Sequence, residues 1–274
     1  MLEPRYGSTM RAQRTIAVTG SASGMGRATT ERLRSQGERV IGIDLADAEV
    51  TADLGSDEGR RRCVAEVTDL ADGILDAVVT WAGLGGLPGR PGSLLASVNY
   101  FGTVAVLEGL RPALARAPQP AAVAVASNSM TVQPGIPIDV VERCLDGDEP
   151  GAREAADRAT SVMTYPATKL ALTRWVRHHA PSPAWAGAGI TLNAIAPGPV
   201  ETPLLQATRD DETLGPLLEA FAVPIGRNGT PEELAGVVDF LIGPSARFMC
   251  GSVVVVDGGT EASLRPDDIW TAWG

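Results

Sequence analysis

The chain has 274 residues, 44% hydrophobic and 20% charged, with a formal net charge of −10, the balance of an ordinary globular domain. That acidity works against nucleic acid and anionic membrane surfaces as partners, and no apolar run approaches the roughly 20 residues of a spanning helix. Three scattered cysteines (Cys63, Cys144, Cys250) and one adjacent pair, His178 and His179, leave little for a disulfide framework, a zinc site or a Ser-His-Asp triad. Reduced thiols make the cytoplasm the expected compartment, and the histidine pair suits the C-terminal end of a helix.

Residues 1–13 are polar and irregular and read as a tail. Beyond them, short β-branched runs alternate with amphipathic stretches. The runs predict strands at 15–19, 39–43, 49–52, 76–80, 121–126, 190–194 and 252–256. The stretches predict helices at 24–36, closed by Gly37, then at 57–70, 93–115, 165–179 and 231–242. Apolar strands alternating with helices imply a doubly wound α/β fold, a Rossmann-type parallel sheet covered on both faces. One domain is expected over 14–262, with 263–274 as a C-terminal tail. The alternation breaks once. Between Ser127 and Tyr165, residues 138–145 and 150–160 look helical around an Asp146-Gly147-Asp148 turn. They predict a small helical insertion, residues 133–164.

The first strand runs into Thr19-Gly20-Ser21-Ala22-Ser23-Gly24-Met25-Gly26 and straight into a helix. In that context Gly20 permits a tight turn, Gly24 lets a pyrophosphate approach the backbone, and Gly26 allows helix and strand to pack closely. The free amides at the helix start, from Ser23 to Met25, attract phosphates. Asp44 ends the second strand, followed by Leu45. A carboxylate there accepts ribose hydroxyls and repels a 2′-phosphate, and no cation stands at 21–23, so NAD is expected over NADP. Asp53 and Leu54 end the third strand and reach either the adenine or only solvent. Tyr165 precedes Lys169 by one helical turn, which puts both on one face. An ammonium beside a phenol favours the phenolate and draws its pKa down, so the pair can exchange a proton with an alcohol oxygen. Read alone, the pair also fits an exposed helix.

In combination these motifs resemble the short-chain dehydrogenase/reductase family over residues 14–260. The resemblance implies a catalytic set of Ser127, Tyr165, Lys169 and Asn99. Ser127 orients the substrate oxygen, Lys169 contacts the nicotinamide ribose, and Asn99 anchors a relay water. Trp81-Ala82-Gly83 resembles the family's Asn-Asn-Ala-Gly stretch with both asparagines replaced; Ala82 and Gly83 keep its backbone role. Pro197-Gly198-Pro199-Val200-Glu201-Thr202 resembles the segment that holds the nicotinamide, with Val200 and Thr202 on the carboxamide. Gly42-Ile43-Asp44, Ala52-Asp53-Leu54, 97–102 and 201–206 are similar to the bacterial 3α-hydroxysteroid dehydrogenase/carbonyl reductases within the family, a group that also carries a helical insertion before the tyrosine.

The expected activity is NAD-dependent interconversion of a secondary alcohol and a ketone on an alicyclic or steroid-like substrate. Another secondary alcohol (sugar alcohol, terpenoid or dihydrodiol) or a non-catalytic NAD sensor remain alternatives. Trp81, Ser129, Met130, Thr131, Pro199 and the stretch 203–225 are the pocket candidates, though a methionine or tryptophan is more often core than pocket. The insertion is expected either to block the family's four-helix interface, leaving a homodimer through residues 231–260, or to act as a lid.

Overall fold

The computed structural model describes residues 13–219 and 221–267. Of the expected tails, 1–12 and 268–274 lie outside the described residues. Seven short strands form one parallel sheet: β1 (Thr15–Thr19), β2 (Arg39–Asp44), β3 (Val50–Thr51), β4 (Ala77–Thr80), β5 (Ala121–Val125), β6 (Thr191–Pro197) and β7 (Val253–Val256). Their order is β3-β2-β1-β4-β5-β6-β7. Every residue of β4, β5 and β6 is buried, as parallel strands covered on both faces require.

Helices α1 (Gly24–Ser35) and α11 (Pro231–Leu241) pack together on one face. The other face carries α2 (Asp57–Leu70), α8 (Ser161–His179) and a continuous helix of α3 (Gly92–Leu95), a π-helical stretch (Ala96–Gly102) and α4 (Thr103–Leu114). Together Gly92–Leu114 is long and apolar enough, by composition, to cross a membrane. Its apolar positions are claimed by the core, where Leu95, Leu107, Leu110 and Leu114 are fully buried. Side chains alternate across the sheet, so Val79 faces α1 and α11 while Val78 faces the α4 side.

The insertion is helical as expected. α6 (Ile138–Leu145) buries Val140, Val141 and Cys144 and packs on α8. α7 (Glu149–Arg158) buries Ala152, Ala155 and Ala156 and packs on α3. The approach is close: a Cβ on Gly92 would stand 2.1 Å from the Ala156 carbonyl oxygen. Both helices therefore flank the long helices rather than cover the sheet's carboxyl edge.

Four helices were not anticipated: α5 (Ser129–Val132), α9 (Pro203–Arg209), α10 (Leu214–Glu219) and α12 (Thr260–Leu264). All are at most seven residues long, too short for an apolar period to show. β6 runs three residues further than expected because Ile195 to Pro197 stay in register with β7. α8 starts earlier than expected, since the Thr160 hydroxyl accepts from Met163 N and caps it.

Candidate active site

Open parallel sheets take ligands at the carboxyl edge where strand order reverses, here the crevice between β1 and β4. Leaving β1, Gly20 adopts φ +69°, and its amide donates to Ile43 O at 2.8 Å. A Cβ on Gly20 would stand 2.8 Å from Ala82 N, and one on Gly26 only 2.0 Å from Gly20 O. The turn closes only with glycine at both. Ser23 is the N-cap of α1, its side chain making no cap bond. The Thr19 hydroxyl accepts from Ala82 N at 3.0 Å and holds the 81–83 stretch against the turn.

Asp44 is fixed by two backbone donors, Ala22 N at 2.9 Å and Leu45 N at 2.7 Å. Leu45 beside it is exposed. Asp53 is exposed and accepts from Gly55 N at 2.8 Å, whereas Leu54 is buried. Across the crevice, Gly198 N donates to Val256 O, and the Thr202 hydroxyl accepts from Leu205 N to cap α9. A Cβ on Gly24 would meet Thr202 Cγ2 at 3.4 Å, so the turn and the 197–202 segment face each other.

Tyr165, Ser127 and Lys169 come together at the ends of β5 and α8. Ser127 stands close enough to Tyr165 to pull its phenol's titration down, and the Ser127 oxygen accepts from Ser129 N at 3.2 Å. Lys169 Nζ donates to Val125 O at 2.8 Å and lies 5.8 Å from the Tyr165 ring centre. Burial dominates both titrations. It pushes the Tyr165 phenol above its ordinary value, against the lowering pull of Ser127, and it lowers the Lys169 ammonium to about 8. The downward shift expected for Tyr165 is thus not what the structure gives: burial sets the direction, and the opposing pull comes from Ser127.

Pro166 follows the tyrosine inside α8 and has no N–H for the Val162 carbonyl; Gln133 Nε2 donates to that carbonyl instead, at 3.4 Å. Asn99 is fully buried in the π-helical stretch. Its side chain is a clamp: Oδ1 accepts from Leu84 N at 2.7 Å and Nδ2 donates to Leu84 O at 2.9 Å. A Cβ on Gly83 would stand 3.3 Å from Asn99 Oδ1 and 3.5 Å from Lys169 Nζ, so Gly83 lets the loop lie against both.

A cleft of about 490 Å³ opens over these groups. Met25, Trp81, Gly83, Ser127, Ser129, Tyr165, Lys169, Pro197, Gly198, Pro199, Val200 and Thr202 all line it. Two expected pocket residues do not. Met130 is buried in the core with its sulfur 2.9 Å from the Thr173 hydroxyl. Thr131 bonds back to Asn128 O, and its carbonyl accepts from Arg265. The single turn of α5 points both away, a geometry that spacing along the chain does not reveal. Trp81 is largely core, and its Nε1 has no partner among the described residues. The expected stretch 203–225 does line the cleft: Leu204, Leu205, Leu214, Leu217, Leu218 and Phe221, on and after α9 and α10, form an apolar wall facing Gly85, Gly86 and Val162. Sequence reasoning named the stretch but not Gly85, Gly86 and Val162 opposite it.

A 3-alpha-hydroxysteroid dehydrogenase/carbonyl reductase of Comamonas testosteroni is 39% identical over 255 residues, 92% of this chain and 98% of its own. This chain belongs to the short-chain dehydrogenase/reductase family. The family model described as enoyl-(acyl carrier protein) reductase matches residues 152–261. The 3-alpha-hydroxysteroid dehydrogenase from Pseudomonas sp. B-0831, solved in complex with NADH, superposes with a TM-score of 0.89 at 45% identity, covering 92% of this chain and 99% of that one. A 2,5-dichloro-2,5-cyclohexadiene-1,4-diol dehydrogenase of Sphingobium indicum is 30% identical over 91% of this chain and 97% of its own. The chain is thus a short-chain dehydrogenase/reductase, an oxidoreductase, with a Rossmann-type fold.

Proposed function

We propose that this enzyme interconverts a secondary alcohol and a ketone with NAD, on an alicyclic or steroid-like apolar substrate. The observation that carries the reading is the meeting of Tyr165, Ser127 and Lys169 in one apolar cleft, with the Lys169 ammonium 5.8 Å from the Tyr165 ring centre. The relative solved with NADH and the two relatives named for cyclic alcohols or diols support it.

The residues fit a dinucleotide. The Gly20–Gly26 turn leaves no room for a side chain, and the Asp44 carboxylate stands at its edge, held by Ala22 N and Leu45 N. A carboxylate so placed disfavours a 2′-phosphate. When bound, the nicotinamide supplies the hydride acceptor or donor. Tyr165 exchanges a proton with the alcohol oxygen. Ser127, accepting from Ser129 N, keeps its own hydroxyl proton available to that oxygen or to Tyr165 and so places the substrate. The Lys169 ammonium favours the phenolate against the cost of burial. Both ends of the Asn99 amide hold Leu84, so a water-holding role falls to its main-chain carbonyl.

Turnover with NAD and NADP on a panel of cyclohexanol, decalol and 3-hydroxysteroids tests the reading. Wild type is expected to prefer NAD by at least about tenfold in kcat/KM, roughly 1.4 kcal/mol, and Asp44→Ala to narrow that preference. An NADP-preferring wild type, or no turnover of any cyclic alcohol, overturns it.

The enzyme is also proposed to act as a homodimer. The half-buried β7 edge with exposed Phe240 and Phe248 offers an apolar surface, while α6 and α7 cover the flank of α8 and α3. Light scattering is expected to give a dimer; a tetramer stable to dilution overturns this part.

A further inference from the structure

Arg60, in the first half of α2, is nearly fully buried away from the cleft. Its guanidinium is used at every corner. Nε donates to Leu54 O at 2.8 Å, and Nη2 donates to Ser97 O at 2.9 Å. Nη1 and Nη2 grip the two oxygens of Glu149 at 2.6 and 2.8 Å. This is a bidentate fork, the most directional form of such a pair. Asp57 adds a longer contact at 3.3 Å.

Three distant segments meet at this one side chain. Leu54 belongs to the loop after β3. Ser97 lies in the π-helical stretch, two residues before Asn99. Glu149 is the first residue of α7, in the insertion. The loop and the π-helical stretch also touch directly: a Cβ on Gly55 would stand 3.2 Å from Val98 Cγ2, and one on Gly102 would stand 2.7 Å from Leu54 O. Arg60 Nε holds the Leu54 carbonyl while the Leu54 side chain is buried in the core.

We infer that the Arg60–Glu149 pair is a positioning device for the adenosine half of the dinucleotide, through which the insertion sets the 53–55 loop. The inference rests on the dinucleotide reading above. A buried guanidinium keeps its place only while a carboxylate balances its charge. Without Glu149, Arg60 turns toward solvent and releases the Leu54 and Ser97 carbonyls. The 53–55 loop then loses its fixed position, while Tyr165, Ser127 and Lys169 keep theirs on β5 and α8. Through α7 the insertion is thereby part of the cofactor site, at a place away from the cleft that the reaction uses.

Calorimetry with AMP and with NADH tests this in Glu149→Gln and in Arg60→Lys, alongside kcat, KM for NAD and Tm. Both variants are expected to bind AMP and NADH about tenfold more weakly, within the usual range of coupling between sites, and to raise KM for NAD by the same factor. Their kcat should stay within about twofold of wild type, a split that simple destabilisation does not produce. Arg60→Lys keeps the charge and loses the fork, so it carries the test if Glu149→Gln fails to fold. Arg143→Gln, which breaks only the exposed Arg143–Asp148 pair of the insertion, should leave AMP affinity unchanged. Unchanged AMP affinity in the two variants with only a lower Tm overturns the inference, and so does a kcat that falls with the affinity. A wild type that binds neither AMP nor NADH overturns the dinucleotide reading itself, and the inference with it.

Discussion

At the base of the cleft, Tyr165 and Lys169 ride on a 19-residue helix and Ser127 follows a fully buried strand. Two of them are held by named partners: Ser129 N for Ser127 and Val125 O for Lys169. At the mouth, Leu204 and Leu217 ride on helices of seven and six residues, and Leu217 is 64% exposed. The base is polar, buried and specified residue by residue. The mouth is apolar and half-open, and its job is shared among several leucines that any similar volume would replace. The proposed function therefore concentrates chemistry at the base and spreads substrate choice over the mouth.

The sharpest way to break that contrast is Tyr165→Phe. It keeps the ring and its packing and removes the only atom proposed to move the proton. Turnover is expected to fall by about 10² to 10⁴, the usual worth of a general acid–base, with binding of NADH retained by calorimetry. A variant within threefold of wild-type kcat would move the chemistry elsewhere.

A smaller effect, confined to wide substrates, is expected at the boundary between base and mouth. Gly85 does not use a left-handed backbone, so alanine is allowed there, but its Cβ would stand 2.7 Å from Leu204 Cδ1. Gly85→Ala should lower kcat/KM for a 3-hydroxysteroid about tenfold, and leave cyclohexanol within about twofold, by narrowing the gap between the 83–86 loop and α9. Equal losses on both substrates would show that Gly85 serves the loop's fold rather than the width of the cleft. The smallest change belongs to Leu217→Ala. A half-exposed leucine has little burial to lose, so KM for the steroid should rise no more than about threefold with kcat unchanged; a tenfold loss would mean that the mouth is as sharply specified as the base.

The same contrast explains what could be read from the chain. The strands at 15–19 and 121–125, the glycine turn and the two insertion helices each follow from neighbours in sequence: a β-branched run, glycines at the strand-to-helix joint, an Asp-Gly-Asp turn between amphipathic segments. Tyr165 and Lys169 share a face by local geometry, and their meeting with Ser127 follows from β5 and α8 lying side by side. The mouth was legible only as the stretch 203–225, because six or seven residues carry too little period to declare a helix, and which leucines face the cleft depends on where α9 and α10 settle. Met130 illustrates the limit: one turn of α5 turns it into the core instead of the pocket. Nor could the Arg60–Glu149 pair be found, since 89 positions separate its members and each alone looks like a surface charge.

Among the described residues the sheet contains no hairpin; every neighbouring pair of strands is parallel. β7 comes last of the seven, a run of four valines whose one partner is β6. Until α9, α10 and α11 have been laid down, β6 lacks its outer neighbour and the apolar row Thr191–Pro197 has an open edge. Sheets of this kind acquire their contacts late and slowly. On a ribosome, the nascent chain carries a finished set of reacting groups through Tyr165 and Lys169 well before it has a closed sheet. The most hazardous interval in its biosynthesis thus falls between β6 and the valines of β7, when a chaperone that shields one bare strand edge would matter most.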